Sequence, residues 1–167
     1  MSKSFVAMAT GLALSASLSA SAGTTRTPIN VSATLADTCL VSATSLIFPA
    51  YVPAAGTLKA TSTITLRCTN GVQYAVGMSA GTTAGAAFTQ RLLASGANTL
   101  QYNIYTSSAY SAVWGDGSGA TQVVGGNAVG FATPITLTVY GELPDSAANQ
   151  AAAPGNYSDT ILIVMTY

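Results

Sequence analysis

The last eleven residues of the chain read Y-S-D-T-I-L-I-V-M-T-Y. Side chains alternate between the faces of an extended strand, which puts Ile161, Ile163, Met165 and Tyr167 on one side and Leu162 and Val164 on the other. A run apolar on both sides requires covered faces and paired edges. An antiparallel sandwich would normally follow such a strand with one more, and here the sequence ends with it. A hydrophobic edge lacking an intramolecular partner is a template for a strand from another chain. The expectation is a protein that works by assembling.

The opening residues carry the marks of an export signal. Lys3 gives the positive start, residues 5–18 a short apolar stretch, and Ala20-Ser21-Ala22 the small-residue cleavage pattern. A spanning helix would need about 20 apolar residues. Cleavage after Ala22, in a pattern that looks bacterial, would leave 145 residues, enough for one domain with a single core. Cys39 and Cys68 are the cysteines of the chain, and an even count in an oxidising periplasm reads as a disulfide. Closing such a loop is worth about 3–4 kcal/mol in the chain-entropy view.

Charge is scarce, at 6% of residues. Without Lys3, the positive residues are Arg26, Lys59, Arg67 and Arg91. Asp37, Asp116, Glu142, Asp145 and Asp159 oppose them, for a net charge of −1. There is no basic patch for nucleic acid and no polybasic stretch for anionic lipid. Soluble domains usually carry about 25% charged residues. A surface of Thr, Ser, Ala and Gly suits close packing against copies of itself.

Strand-like runs recur at residues 29–35, 45–51, 57–68, 73–79, 90–94, 99–105, 133–141 and 157–167, separated by loops at 81–85, 115–126 and 145–155. Alternation is clearest for Ile64, Leu66 and Cys68 against Thr63, Thr65 and Arg67, and for Ile135, Leu137 and Val139 against Thr136 and Thr138. No convincing amphipathic helix competes, so the fold class expected is an all-β sandwich.

Just after the signal, Ile29, Val31, Ala33 and Leu35 alternate with Asn30, Ser32 and Thr34, preceded by Pro28 and by the apolar-free stretch 23–27. One reading is an ordinary first strand. The other is a donor strand, an arm that completes a neighbour's sheet by β-augmentation and fills its pockets with the four apolar side chains. Leu137, Val139, Ile161, Ile163, Met165 and Tyr167 would then line the acceptor groove or core.

From Leu100 onward four runs stand together: Leu100-Gln-Tyr-Asn-Ile-Tyr105, Trp114-Gly-Asp-Gly117, Tyr140-Gly-Glu-Leu-Pro144 and Pro154-Gly-Asn-Tyr-Ser-Asp-Thr160. In them the chain resembles the spore coat protein U domain family, which includes subunits of archaic chaperone–usher pili. Cys39, Leu46-Ile-Phe48 and Tyr51 are similar to the family's opening. The resemblance implies an incomplete immunoglobulin-like β-sandwich lacking its final strand. A periplasmic chaperone would lend that strand, and the next subunit's arm would replace it at an outer-membrane usher. The organisation implied is a signal peptide at 1–22, an extension or donor strand at 23–36 and a pilin-type domain at 37–167. It further implies a surface fibre serving adhesion or biofilm formation, a shaft or adaptor place rather than a tip, and other pilus subunits as partners. A spore or cell-surface coat of the same fold is the alternative.

No enzyme chemistry is nominated. The absence of histidine removes the usual Ser-His-Asp and Cys-His arrangements and the commonest transition-metal ligand, so neither catalytic nor metal-ligating residues nor a cofactor are expected. Asp116 and Asp159 sit in Gly-containing turns, where local backbone bonding explains an aspartate better than a carboxylate pair does. Trp114, Tyr102, Tyr105, Tyr110 and Tyr140 read as core or subunit contacts before a sugar-stacking surface. A small outer-membrane β-barrel would share the export signal and aromatic end, but Leu162 and Val164 would occupy its lumen positions. A secreted enzyme or carbohydrate-binding module would need a concave polar site that the sequence does not nominate.

Overall fold

The computed structural model describes residues 23–167; the expected signal peptide, at 1–22, lies outside the described residues. The chain divides into two units, Met1–Thr34 and Leu35–Tyr167. Within the first, residues 23–34 form no ladder and are exposed throughout, Ile29, Val31 and Ala33 included.

The second unit carries eight strands and one short helix. In chain order they are β1 (Cys39–Ala43), β2 (Leu58–Cys68), β3 (Gln73–Met78), β4 (Arg91–Ser95), β5 (Asn98–Tyr105), β6 (Val124–Asn127), β7 (Ile135–Leu143), α1 (Ala147–Gln150) and β8 (Ile163–Thr166). They build a five-stranded sheet in the order β1-β2-β7-β5-β4 and a three-stranded sheet in the order β6-β3-β8, with antiparallel pairing throughout. This is an immunoglobulin-like sandwich with separate sheets, so the barrel alternative falls.

Period-two patterning sets the core. On β2, Ser62, Ile64, Leu66 and Cys68 are buried between outward Thr61 and Arg67 and half-buried Thr63 and Thr65. Val76 and Met78 of β3, Leu100, Tyr102 and Ile104 of β5, and Val139 and Leu143 of β7 join them. Each large side chain so buried contributes about 1.5–3 kcal/mol. Trp114 is fully buried and its indole N–H donates to the Val76 carbonyl at 2.8 Å, which removes the penalty of an unpaired donor. Cys39 and Cys68 face each other across the β1–β2 ladder and form the disulfide, packed with Val72 and Ala128.

Five strand expectations, those now β2, β3, β4, β5 and β7, are met to within a residue or two. Three depart. Residues 29–35 form no ladder. Residues 45–51 alternate, with Leu46 and Phe48 inward and Ile47 outward, yet lie outside the strands. Of 157–167 only β8 joins the three-stranded sheet. Before it, Ser158 exchanges both backbone bonds with Ala94 of β4, in the other sheet, at 2.9 and 3.0 Å. The terminal segment thus crosses between sheets at residues 159–162.

Candidate functional site: an open seam between two strand edges

Between β1 and β8 the sandwich is open. Among the described residues β1 pairs only with β2 and β8 only with β3, so each sheet presents an unpaired edge there. Between these edges runs a furrow with two lobes. The narrower encloses about 320 Å³, with Ile64, Met78, Ile104 and Val139 among its lining, flanked by Leu46 and by Ile161 and Ile163. The wider encloses about 680 Å³ between residues 46–53 and 152–159, over Leu93, Leu100 and Leu143. Leu46, Phe48, Leu93 and Asp159 line both, so the lobes are continuous. Core side chains reached from outside are what a sandwich short of one strand exposes.

Each wall has a structural reason. On the β8 side, Ile161, Ile163 and Met165 turn toward the core, while Leu162 and Val164 are more than half exposed. The expectation of a strand covered on both faces therefore fails on the outer one. On the other side, Leu46 and Phe48 lean inward because β7 has Gly141 below them; a Cβ there would lie 2.6 Å from Leu46 and 3.0 Å from Phe48. Phe48 meets the Tyr102 ring edge-on at 6.1 Å. Past it, the Asp145 carboxylate accepts from the Tyr51 hydroxyl and from the amides of Ala54 and Gly56, fixing the rim loop. Desolvation and then that carboxylate push the Tyr51 phenol up to about 12.

Asp159 pins the crossover. It accepts from the amides and hydroxyls of Thr82 and Thr83 and, at 2.7 Å, from the Tyr102 hydroxyl. Burial alone would raise its pKa; the hydrogen bonds outweigh that and hold it below the ordinary carboxylate range. Asp159 is thus satisfied by residues far away in sequence, not by the local turn expected. Asp116 does follow the local expectation, accepting from the Ser118 amide and from the Ser118 and Thr121 hydroxyls. Behind the crossover Arg91 is fully buried and donates to the carbonyls of Ser79 and Trp114 and to Asn103 Oδ1. Burial lowers its pKa to about 10, which leaves it charged at neutral pH.

Val139 is buried in the core and Leu137 packs against it from β7, beside Ile161, Ile163 and Met165; Tyr167 is mostly exposed. Leu35 is exposed, as are Ile29, Val31 and Ala33 of the other unit. Sequence reasoning did not nominate Met78, Leu93, Tyr102 or Ile104 for the lining, because nothing local distinguishes a core residue beneath an open seam from one beneath a closed one. Of the aromatic set, Trp114 and Tyr102 are core. Tyr105, Tyr110 and Tyr140 pack edge-to-face, with Lys59 3.9 Å above the Tyr110 ring. Among the described residues no cluster of three metal-ligating side chains occurs, and no helix is long and apolar enough to cross a membrane.

The family model of the spore coat protein U domain matches residues 25–164. Among solved structures, the chain is similar to a chain of the CsuC–CsuE chaperone–tip adhesion subunit pre-assembly complex, from archaic chaperone-usher Csu pili of Acinetobacter baumannii. The TM-score is 0.59 at 20% identity, over 80% of this chain and 41% of that one. The chain spans less than half of that relative's length, and the likeness is one of fold. No curated protein matches it.

Proposed function

This chain belongs to the spore coat protein U domain family, and from that membership we propose that it is a structural subunit of a surface fibre built by donor-strand exchange. The observation that carries the reading is the open seam: two unpaired edges, β1 and β8, flank a furrow floored by core side chains. An inserted strand would bond its backbone to an edge and bury alternate side chains in the furrow. The chain itself contains a segment of the right pattern, Ile29, Val31, Ala33 and Leu35, all exposed.

In this account residues 23–36 are the donor arm and 37–167 the acceptor domain. The subunit leaves through the periplasm with residues 1–22 as its signal. A periplasmic chaperone occupies the seam first, and the arm of another subunit replaces it at an outer-membrane usher. The fibre would serve attachment and biofilm formation. The solved relative, which comes from a chaperone–subunit complex, supports the chaperone step. A surface coat assembled in the same way is the second reading, favoured by the description of the family.

The test is a chain lacking residues 24–35, carried through its own export route. It should still be captured by its chaperone and should form no fibres. Fibres of normal length from that variant would refute donor-strand exchange through this arm.

A further inference from the structure

Resting on that reading, we propose a second interface between successive copies: the disulfide end of one sandwich, through Val129 and Phe131, seats beside the next copy's wide lobe, against Ile47 and Val52. The argument starts from how little chain separates the arm from its own domain. The Ala36 carbonyl accepts from the Thr69 hydroxyl, the Thr38 amide donates to that hydroxyl, and Thr69 N donates to the Thr38 carbonyl at 2.9 Å. Residues 36–38 are therefore fixed to the end of β2. If Leu35 sits in a neighbour's seam, the next residue is already held on its own domain. One residue spans at most about 3.6 Å, so the two domains must touch.

The donor face is the end of the sandwich around that root. Arg67 there donates to the carbonyls of Phe131 and Ala132, and Gly71 N donates to the Ala128 carbonyl, which holds the 128–132 loop beside Thr69. Val129 and Phe131 on this loop are 66% and 42% exposed. The receiving face follows from strand direction. Both sheets are antiparallel throughout, and an arm that continues the pattern on β8 runs opposite to it. Ile29 then lies toward Met165, and Leu35 leaves past Ile161 into the wide lobe. Ile47 lines that lobe, and Val52 stands between its lining residues Tyr51 and Pro53, on the stretch that Asp145 fixes; the two are 75% and 59% exposed. Unlike ends meet, and such a heterologous contact repeats without closing, which makes a filament.

The experiment pairs Phe131→Cys with Val52→Cys in the full-length chain, both exposed positions, and reads fibres sheared from cells. The double variant should give a ladder of covalent multimers that collapses on reduction, and neither single variant should. In a second arm of the experiment, Phe131→Asp with Val129→Asp should still assemble and should break up about tenfold faster in denaturant, a loss expected when a central anchor is removed. Fibres that assemble normally but give no ladder and keep their unmodified breakage rate would overturn this interface while leaving the arm intact. Fibres independent of residues 24–35 would instead overturn donor-strand exchange.

Discussion

Asp159 shows how one side chain can set where a strand changes sheets. Five donors converge on its carboxylate, and Gly81 stands so close that a Cβ would collide with it, at a φ of +103° that L side chains avoid. Asp159→Ala should cost about 1–3 kcal/mol, because the Tyr102 hydroxyl and two amides lose their acceptor; urea unfolding measures it. Gly81→Ala should destabilise to a similar degree, since both the collision and the backbone must be relieved. The carboxyl releases its proton more readily folded than unfolded, so its contribution is complete above the ordinary value of 3.8 and declines as pH falls below it. A melting series in acid should therefore lose less stability over that range in Asp159→Asn than in the unmodified chain. Little of this was legible in sequence: the turn context of Asp159 suggested local bonds, and its partners lie more than fifty residues away. Cys39 and Cys68 were legible, because two cysteines leave one intramolecular pairing.

At the scale of elements, alternation found the strands that a ladder holds on both sides. It found β2 and β7 because Ile64, Leu66 and Val139 face a core while their Thr neighbours do not. It over-read residues 45–51, where the same alternation lines a furrow without a ladder, since patterning reports which face is dry and not whether the backbone has a partner. It missed β1, whose Leu40 and Val41 are both exposed, and β6, half of it glycine. The account makes β8 a weak ladder, four residues with one paired side, as in β6. Replacing Val31 or Leu35 by Asp should leave export and chaperone capture intact and cut fibre yield severely, because an unpaired carboxylate would enter an apolar furrow at a cost of about several kcal/mol. Quantifying sheared fibres against periplasmic subunit measures this. Gly141→Val should weaken seating as well, by forcing Leu46 and Phe48 out of the wall.

For the whole molecule, scarce charge, a patterned arm and an open seam all fit the proposed reading, in which stability would be shared between copies. The furrow between β1 and β8 is the place where a further strand would fit. What the sequence could not carry was the second wall, because residues 46–53 meet the terminal segment only after folding. The most direct measurement takes the chain without residues 24–35, free of chaperone, and adds a synthetic peptide of residues 24–36. Saturation at about a hundred times Kd corresponds to about 2.7 kcal/mol, which raises the melting temperature by roughly 5–10 °C. Amide exchange in β8 should slow in parallel, and a peptide carrying Val31→Asp should do neither. A truncated chain that is already stable and soluble, with melting and exchange unmoved by the peptide, would contradict the account.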